Sequence, residues 1–141
     1  MKNRTATAVW QGNLKKGSGN IKFGNGRFDE TYSAASRFED GTETNPEELI
    51  AAAHAACYSM ALSGALAEAG HTVDRVETKA TVNLETDADG FSITSIDLQT
   101  QGSVPGIASD EFQKIAAEAK ENCPVSKALA ACTIHLVATL I

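Results

Sequence analysis

Alternation and helical spacing divide the chain into short strands arranged around one long apolar helix. Thr5–Gln11 alternates as a strand does, with Val9 and Trp10 near its end. Gly12-Asn13 and Lys15-Lys16-Gly17-Ser18-Gly19 supply a turn. Asn20–Phe23 and Arg27–Tyr32 then flank Gly24-Asn25-Gly26, a strong hairpin signal. Ser33–Thr44 shows little periodicity and predicts a loop that brings Arg37 and Phe38 close to the next element.

That element opens with Asn45-Pro46-Glu47-Glu48. Asn45 suits the N-cap, Pro46 the first helical position, and the two glutamates complement the positive end of the helix dipole. A helix is predicted from about Pro46 to Ala69, with Gly70 as its C-terminal glycine. From Leu49 to Ala67 it carries no formal charge. Only Leu49, Ile50, Met60, Leu62 and Leu66 are strongly apolar there, both flanks are acidic, and no aromatic belt frames the stretch. The expectation is therefore a helix buried on nearly every side in a soluble protein rather than a membrane span.

Downstream, Arg75–Leu84 alternates with Val76, Ala80, Val82 and Leu84 on one parity. Asp87–Gly90 turns the chain into Phe91–Ser103, where the apolar parity switches between Ile93 and Ile96 and predicts a bulge. After Val104-Pro105-Gly106, Ser109-Asp110-Glu111 starts an amphipathic helix with Phe112, Ile115, Ala116 and Ala119 on one stripe. Cys123-Pro124 starts a short helix through about Ala130. Thr133–Ile141 closes as a strand with Ile134, Leu136, Ala138 and Leu140 on one face. The predicted order is β-β-β, α, β-β, α-α, β, an α+β fold in one domain over residues 1–141 without internal repeat or linker.

Composition narrows the function classes. The 43% hydrophobic and 21% charged content is that of a globular protein. A net charge of -6 argues against nucleic acid as a partner. Met1-Lys2-Asn3-Arg4 begins basic but no apolar run follows, so no secretory leader is expected and a cytoplasmic location is. Three cysteines, Cys57, Cys123 and Cys132, then point to free, catalytic or metal-binding thiols rather than a disulfide framework. Motifs for serine hydrolysis and phosphate loops are absent.

Cys57 lies near the middle of the charge-free helix, where a buried small apolar role and a reactive one both remain open. Cys123, followed by Pro124, is placed at a helix N-terminus, where the dipole favours thiolate. His54 lies three residues before Cys57, so a Cys–His pair is geometrically open. A zinc site from His54, Cys57, Cys123 and Cys132 is a further alternative, although no Cys-x-x-Cys pair supports it.

Taken together, these motifs resemble the OsmC/Ohr family of hydroperoxide reductases, and within it the OsmC branch. The likeness rests on Asn45-Pro46-Glu47-Glu48-Leu49-Ile50, Ala52-Ala53-His54-Ala55-Ala56-Cys57 and Asn122-Cys123-Pro124-Val125-Ser126. Val104-Pro105-Gly106-Ile107 and Trp10-x-Gly12-x-Leu14-Lys15-x-Gly17-x-Gly19 extend it over nearly the whole chain. The resemblance implies a thiol-dependent peroxidase acting on organic hydroperoxides and less efficiently on hydrogen peroxide. It implies Cys57 as the peroxidatic thiol, Cys123 as the resolving thiol, and Arg37 and Glu47 as the supporting catalytic pair. It also implies an intertwined homodimer in which antiparallel sheets enclose two long helices, with sites at the subunit interface. No cofactor is expected beyond an external dithiol reductant of lipoyl type. Cys132 falls outside the pattern.

Physical chemistry attaches conditions to these roles. Attack on an O–O bond needs a thiolate, and burial in an apolar helix pushes a thiol pKa up. A guanidinium, charged even in apolar surroundings, suits the task of offsetting that burial, and Glu47 would orient Arg37 through a bidentate pair. Glu47 and Cys57 are ten residues apart, roughly 15 Å along one straight helix. Glu47 is therefore expected to serve the Cys57 of a partner subunit. A non-catalytic binding protein or a zinc protein on the same fold is the alternative.

Overall fold

A computed structural model describes residues 1–141. It forms two compact units, Met1–Leu49 and Ile50–Ile141, with the long helix crossing the boundary.

The first unit is an antiparallel meander of β1 (Ala6–Gln11), β2 (Ser18–Phe23) and β3 (Asp29–Ser33), in that order. Gly26, at φ 70°, lets the β2–β3 turn close, with its N–H donating to Phe23 O at 2.8 Å. A short helix, α1 (Ala34–Phe38), occupies the segment expected to be a loop. Five residues give too little periodicity to notice, and the helix is held by its cap instead. The Ser33 hydroxyl accepts from the Ser36 N–H, and the Ser36 hydroxyl accepts from the Ser33 N–H at 3.0 Å. Ser36 is buried and also donates to Thr44 O, which ties α1 to the start of α2 (Pro46–Glu68). Asn45 caps α2 as expected, its Oδ1 accepting from the Glu48 N–H at 2.8 Å.

In the second unit α2 ends in a Schellman closure: His71 N–H donates to Leu66 O and Gly70 N–H to Ala67 O, with Gly70 at φ 91°. The following β4 (Arg75–Asp87) and β5 (Gly90–Ser103) pair antiparallel. Their register slips at Asn83/Leu84, where Thr94 is the extra residue, and this is the bulge that the parity switch predicts. Then come α3 (Ser109–Asn122), α4 (Pro124–Ala128) and β6 (Thr133–Leu140).

The sheet order is β4-β5-β6, and β6 runs parallel to β5. The expectation of wholly antiparallel sheets is corrected here. A helical crossover through α3 and α4 carries the chain back to the starting end of β5, the connection a parallel pair requires.

The core of this unit gathers Tyr58, Leu62 and Leu66 of α2, Ile96 and Leu98 of β5, and Phe112, Ile115 and Ala116 of α3. Hydroxyls tie helix to sheet as well, Ser59 donating to Thr78 Oγ1 at 2.8 Å and Thr78 meeting Thr100 at 2.9 Å. Gly102 lies under Phe112, so close that an added Cβ would come 2.6 Å from the ring. Gly102→Ala is therefore expected to cost about 1–3 kcal/mol through overpacking, read as a lower urea midpoint at unchanged slope.

Burial of α2 differs from the expectation. Within this unit the fully buried helix positions are His54, Tyr58, Leu62 and Leu66, a single i, i+4 stripe. Only 22% of its most apolar window is buried, although the helix is long and apolar enough to cross a membrane. Met60 is 77% exposed. Lack of charge along the helix signalled apolar surroundings, but one chain supplies them to one face only.

Candidate active site

Two constellations emerge, one in each unit. In the first, the α1 cap places Arg37 on the last turn of α1, and Asn45 sets Glu47 in the first turn of α2. Arg37 Nε and Nη2 both donate to Glu47 Oε1, at 3.0 and 2.8 Å. The expected bidentate pair is thus a two-nitrogen fork on a single oxygen. The second oxygen, Oε2, is buried without a partner. The Arg37 guanidinium carbon also sits 5.3 Å from the centre of the Phe38 ring. Glu47 is nearly buried while the Arg37 side chain stays 37% exposed, so one face of a held cation remains open.

In the second unit Cys57 of α2 meets Cys123, the residue that starts α4. The two free thiols act on each other's proton affinity, Cys57 half-buried and Cys123 fully buried. Their proton affinities are pushed apart. Burial raises Cys57 above the ordinary thiol range, the Val125 N–H works against that, and the adjacent Cys123 raises it further. Burial also acts to raise Cys123, but the Ser126 N–H, the Cys57 thiol, the Ser126 hydroxyl and the Val125 N–H together bring it below the ordinary value. Those N–H groups are the free donors of the first turn of α4, consistent with the dipole expectation. Pro124 at the first position pre-sets that turn. Of the two thiols Cys123 therefore gives up its proton more readily and Cys57 holds its own more tightly. No cation is among the groups acting on Cys57.

His54 does not pair with Cys57. Its Nε2 lies 2.8 Å from Ser126 Oγ, both residues being buried, and burial lowers its proton affinity. Ser126 stands in the quoted cysteine motif, yet nothing in the chain order signals that it would meet His54. Cys132 lies apart, its thiol donating to Ile93 O at 3.5 Å beside the bulge and packing on the core. No three His, Cys, Asp or Glu side chains converge as metal ligands, so the imagined quartet of His54 with the three cysteines does not assemble.

Fold and site together define an α+β protein with a dithiol centre between a long apolar helix and the start of a short one. The model of the OsmC-like proteins matches residues 39–137, a span that contains Glu47, Cys57 and Cys123 and stops two residues short of Arg37. The chain belongs to the OsmC family. It is 46% identical over 125 residues to the peroxiredoxin OsmC of Escherichia coli (strain K12), covering 88% of this chain and 87% of that protein. Over 88 residues it is 38% identical to the organic hydroperoxide resistance protein OhrA of Bacillus subtilis (strain 168), covering 60% of this chain and 59% of that one. Among solved structures, OhrB of Bacillus subtilis superposes with a TM-score of 0.68 at 28% identity, over 97% of this chain and 98% of that one. An OsmC-like protein from Mycoplasma pneumoniae shares the fold with a TM-score of 0.76 at 20% identity, over 99% and 98% of the two chains.

Proposed function

We propose that this protein is a cysteine-based peroxidase that reduces organic hydroperoxides to alcohols, with hydrogen peroxide as a poorer substrate. The observation that carries this reading is the pair Cys57–Cys123, two free thiols that act on each other and have proton affinities shifted in opposite directions. The Cys57 thiolate attacks the O–O bond, leaving a sulfenic acid and releasing the alcohol after protonation. Cys123 then attacks the Cys57 sulfur, forming the disulfide and releasing water. An external dithiol of lipoyl type returns both thiols. Metal, haem and flavin have no step in this cycle.

The first step needs Cys57 ionised, against the preference found in the single chain. A homodimer resolves the conflict. In this reading the open face of the Arg37–Glu47 pair serves the partner's thiol, since Glu47 sits roughly 15 Å of helix rise away from its own Cys57. The same partner covers the faces of α2 left uncovered by one chain, which favours a soluble dimer over a membrane span, and the cytoplasm is the location proposed for it. The -6 charge speaks against nucleic acid.

Thiol counting tests the reading. One equivalent of cumene hydroperoxide should remove two thiols, mapped by mass spectrometry to a Cys57–Cys123 disulfide, while Cys132 stays free. A protein that merely binds small molecules would lose none. Cumene hydroperoxide should also exceed hydrogen peroxide in kcat/KM, because its apolar body gains burial of roughly 0.8 kcal/mol per CH₂. A hydrogen peroxide preference would contradict the apolar site.

A further inference from the structure

Two buried polar side chains stand beside the dithiol, and the reaction as written gives them no task. His54 of α2 and Ser126 of α4 lie 72 positions apart and meet at 2.8 Å. The other ring nitrogen, His54 Nδ1, is buried with no partner. Ser126 is the third residue of α4, one helical turn after Cys123, and its hydroxyl is among the groups that lower the proton affinity of that thiol. It is not needed to cap the helix, because the Cys123 N–H already donates to Ala119 O at 2.9 Å.

Proton counting orders these contacts. A thiolate only accepts, and a serine hydroxyl has one proton to give. With the imidazole proton on Nδ1, Ser126 would have to donate to Nε2. The hydroxyl proton would then be unavailable to Cys123, and Nδ1–H would be an orphaned donor in the core. With the proton on Nε2, His54 donates to Ser126 Oγ and the hydroxyl is free to face the sulfur. Only the Nδ1 lone pair is then unmet, and buried acceptors tolerate that better than buried N–H donors. An imidazolium would again orphan an N–H, and burial disfavours its charge.

On top of the peroxidase reading, we propose that His54 is a positioning residue for the resolving step: its Nε2–H turns the Ser126 hydroxyl onto Cys123 and holds that sulfur as the attacking thiolate. In this step a Cys123 lone pair forms the S–S bond to Cys57 as the Cys57 S–O bond breaks. The hydroxide that leaves takes up the proton Cys123 gave up on ionising, so sulfenic acid and thiol become disulfide and water. The relay acts in opposite senses on the two half-reactions. Before oxidation the two thiols compete for a proton, and stabilising thiolate on Cys123 favours keeping that proton on Cys57. After oxidation Cys57 no longer competes, and the same contact favours resolution.

Ser126→Ala, His54→Leu and His54→Gln in the full chain separate these effects. Sulfenic acid is trapped with dimedone after a single turnover of cumene hydroperoxide, and disulfide formation is timed by loss of the second thiol. In Ser126→Ala and His54→Leu the sulfenic acid should persist roughly tenfold longer, the scale of a lost hydrogen bond to a charged group, while the first thiol is lost no more slowly than in the wild type. His54→Gln, whose amide can donate to Ser126, should recover most of the resolving rate. A structural role would slow both steps and show no such rescue. Equal sulfenic acid lifetimes in wild type and Ser126→Ala, or glutamine behaving as leucine, would overturn the relay.

A second measurement needs no peroxide. With Cys57→Ser and Cys132→Ser, Cys123 is the one thiol, and its thiolate absorbance is titrated with and without Ser126→Ala. The titratable groups acting with Cys123 are Cys57, replaced in this background, and Tyr58, whose phenolate burial keeps far from ionising. No titratable side chain of α3 or β6 is among them. The midpoint should rise with Ser126→Ala. No rise would overturn the relay with the peroxidase reading intact, whereas a wild type that loses no thiol to peroxide would sink the peroxidase reading alone.

Discussion

Cys57→Ser should lower turnover of cumene hydroperoxide with dihydrolipoamide by roughly a thousandfold or more, the scale on which removal of a covalent nucleophile acts. A serine hydroxyl at this position stays protonated at neutral pH and is a poor match for an O–O bond. Cys123→Ser should behave differently. It should still consume one equivalent of hydroperoxide in a rapid phase, because Cys57 needs no resolving partner to be oxidised. Steady-state turnover should then fall, with a dimedone-reactive sulfenic acid accumulating on Cys57. Rapid-mixing kinetics with mass spectrometry reads both outcomes. Retention of more than about a tenth of the wild-type rate by Cys57→Ser would remove Cys57 from the role of nucleophile. If Cys123→Ser loses the rapid phase as completely as Cys57→Ser does, the division of labour between the thiols is wrong.

The second large effect concerns the Arg37–Glu47 fork. Glu47→Ala removes the carboxylate that holds two guanidinium nitrogens at 3.0 and 2.8 Å. Activity should fall roughly a hundredfold, as expected when a charged group loses its orientation. The same loss is expected from Arg37→Met, which deletes the cation. Subunit mixing then tests whose thiol the pair serves. In a heterodimer of Glu47→Ala and Cys57→Ser chains, one site combines an intact Cys57 with an intact Glu47 from the other chain. That heterodimer should regain up to about half of the wild-type activity per dimer, although both parents are nearly inactive. Differently tagged subunits, co-expressed and purified in tandem, supply the sample. Activity no higher than the sum of the parents would place Glu47 and Cys57 in sites served by one chain, and the partner-subunit arrangement would fall. The physical motive is the Cys57 environment itself: burial raises its proton affinity, and no cation of its own chain is among the groups acting on it.

Much of this architecture is local, and local features are legible in the chain. Asn45-Pro46 starts α2, and Gly70 ends it by adopting a positive φ. Gly24-Asn25-Gly26 closes the β2–β3 hairpin, and the parity switch around Thr94 marks the bulge. Each depends on residues within a few positions of one another, where side-chain type and backbone preference are coupled. The short helix α1 escaped because five residues show no period, while its cap is made by two serines that look like loop composition. Fold class and family were equally within reach, since the two cysteine motifs survive as contiguous strings.

What the chain order does not contain is the partner of each group once distant segments meet. That β6 runs parallel to β5 depends on where α3 and α4 deposit the chain, not on the alternation of β6 itself, which is the same in either direction. That His54 serves Ser126 rather than Cys57, three residues away, is decided by which side of α2 faces α4. The charge-free run from Leu49 to Ala67 announced an apolar environment, but only the packed chain shows that one stripe is filled and the rest is not. Above all, the sequence by itself determined that the thiols of Cys57 and Cys123 and the guanidinium of Arg37 would be present, and tertiary structure decided in which direction each thiol's proton affinity moves. Proton affinity depends on burial and on donors a few ångströms away. In this chain those donors converge on Cys123 from the first turn of α4 and from α2.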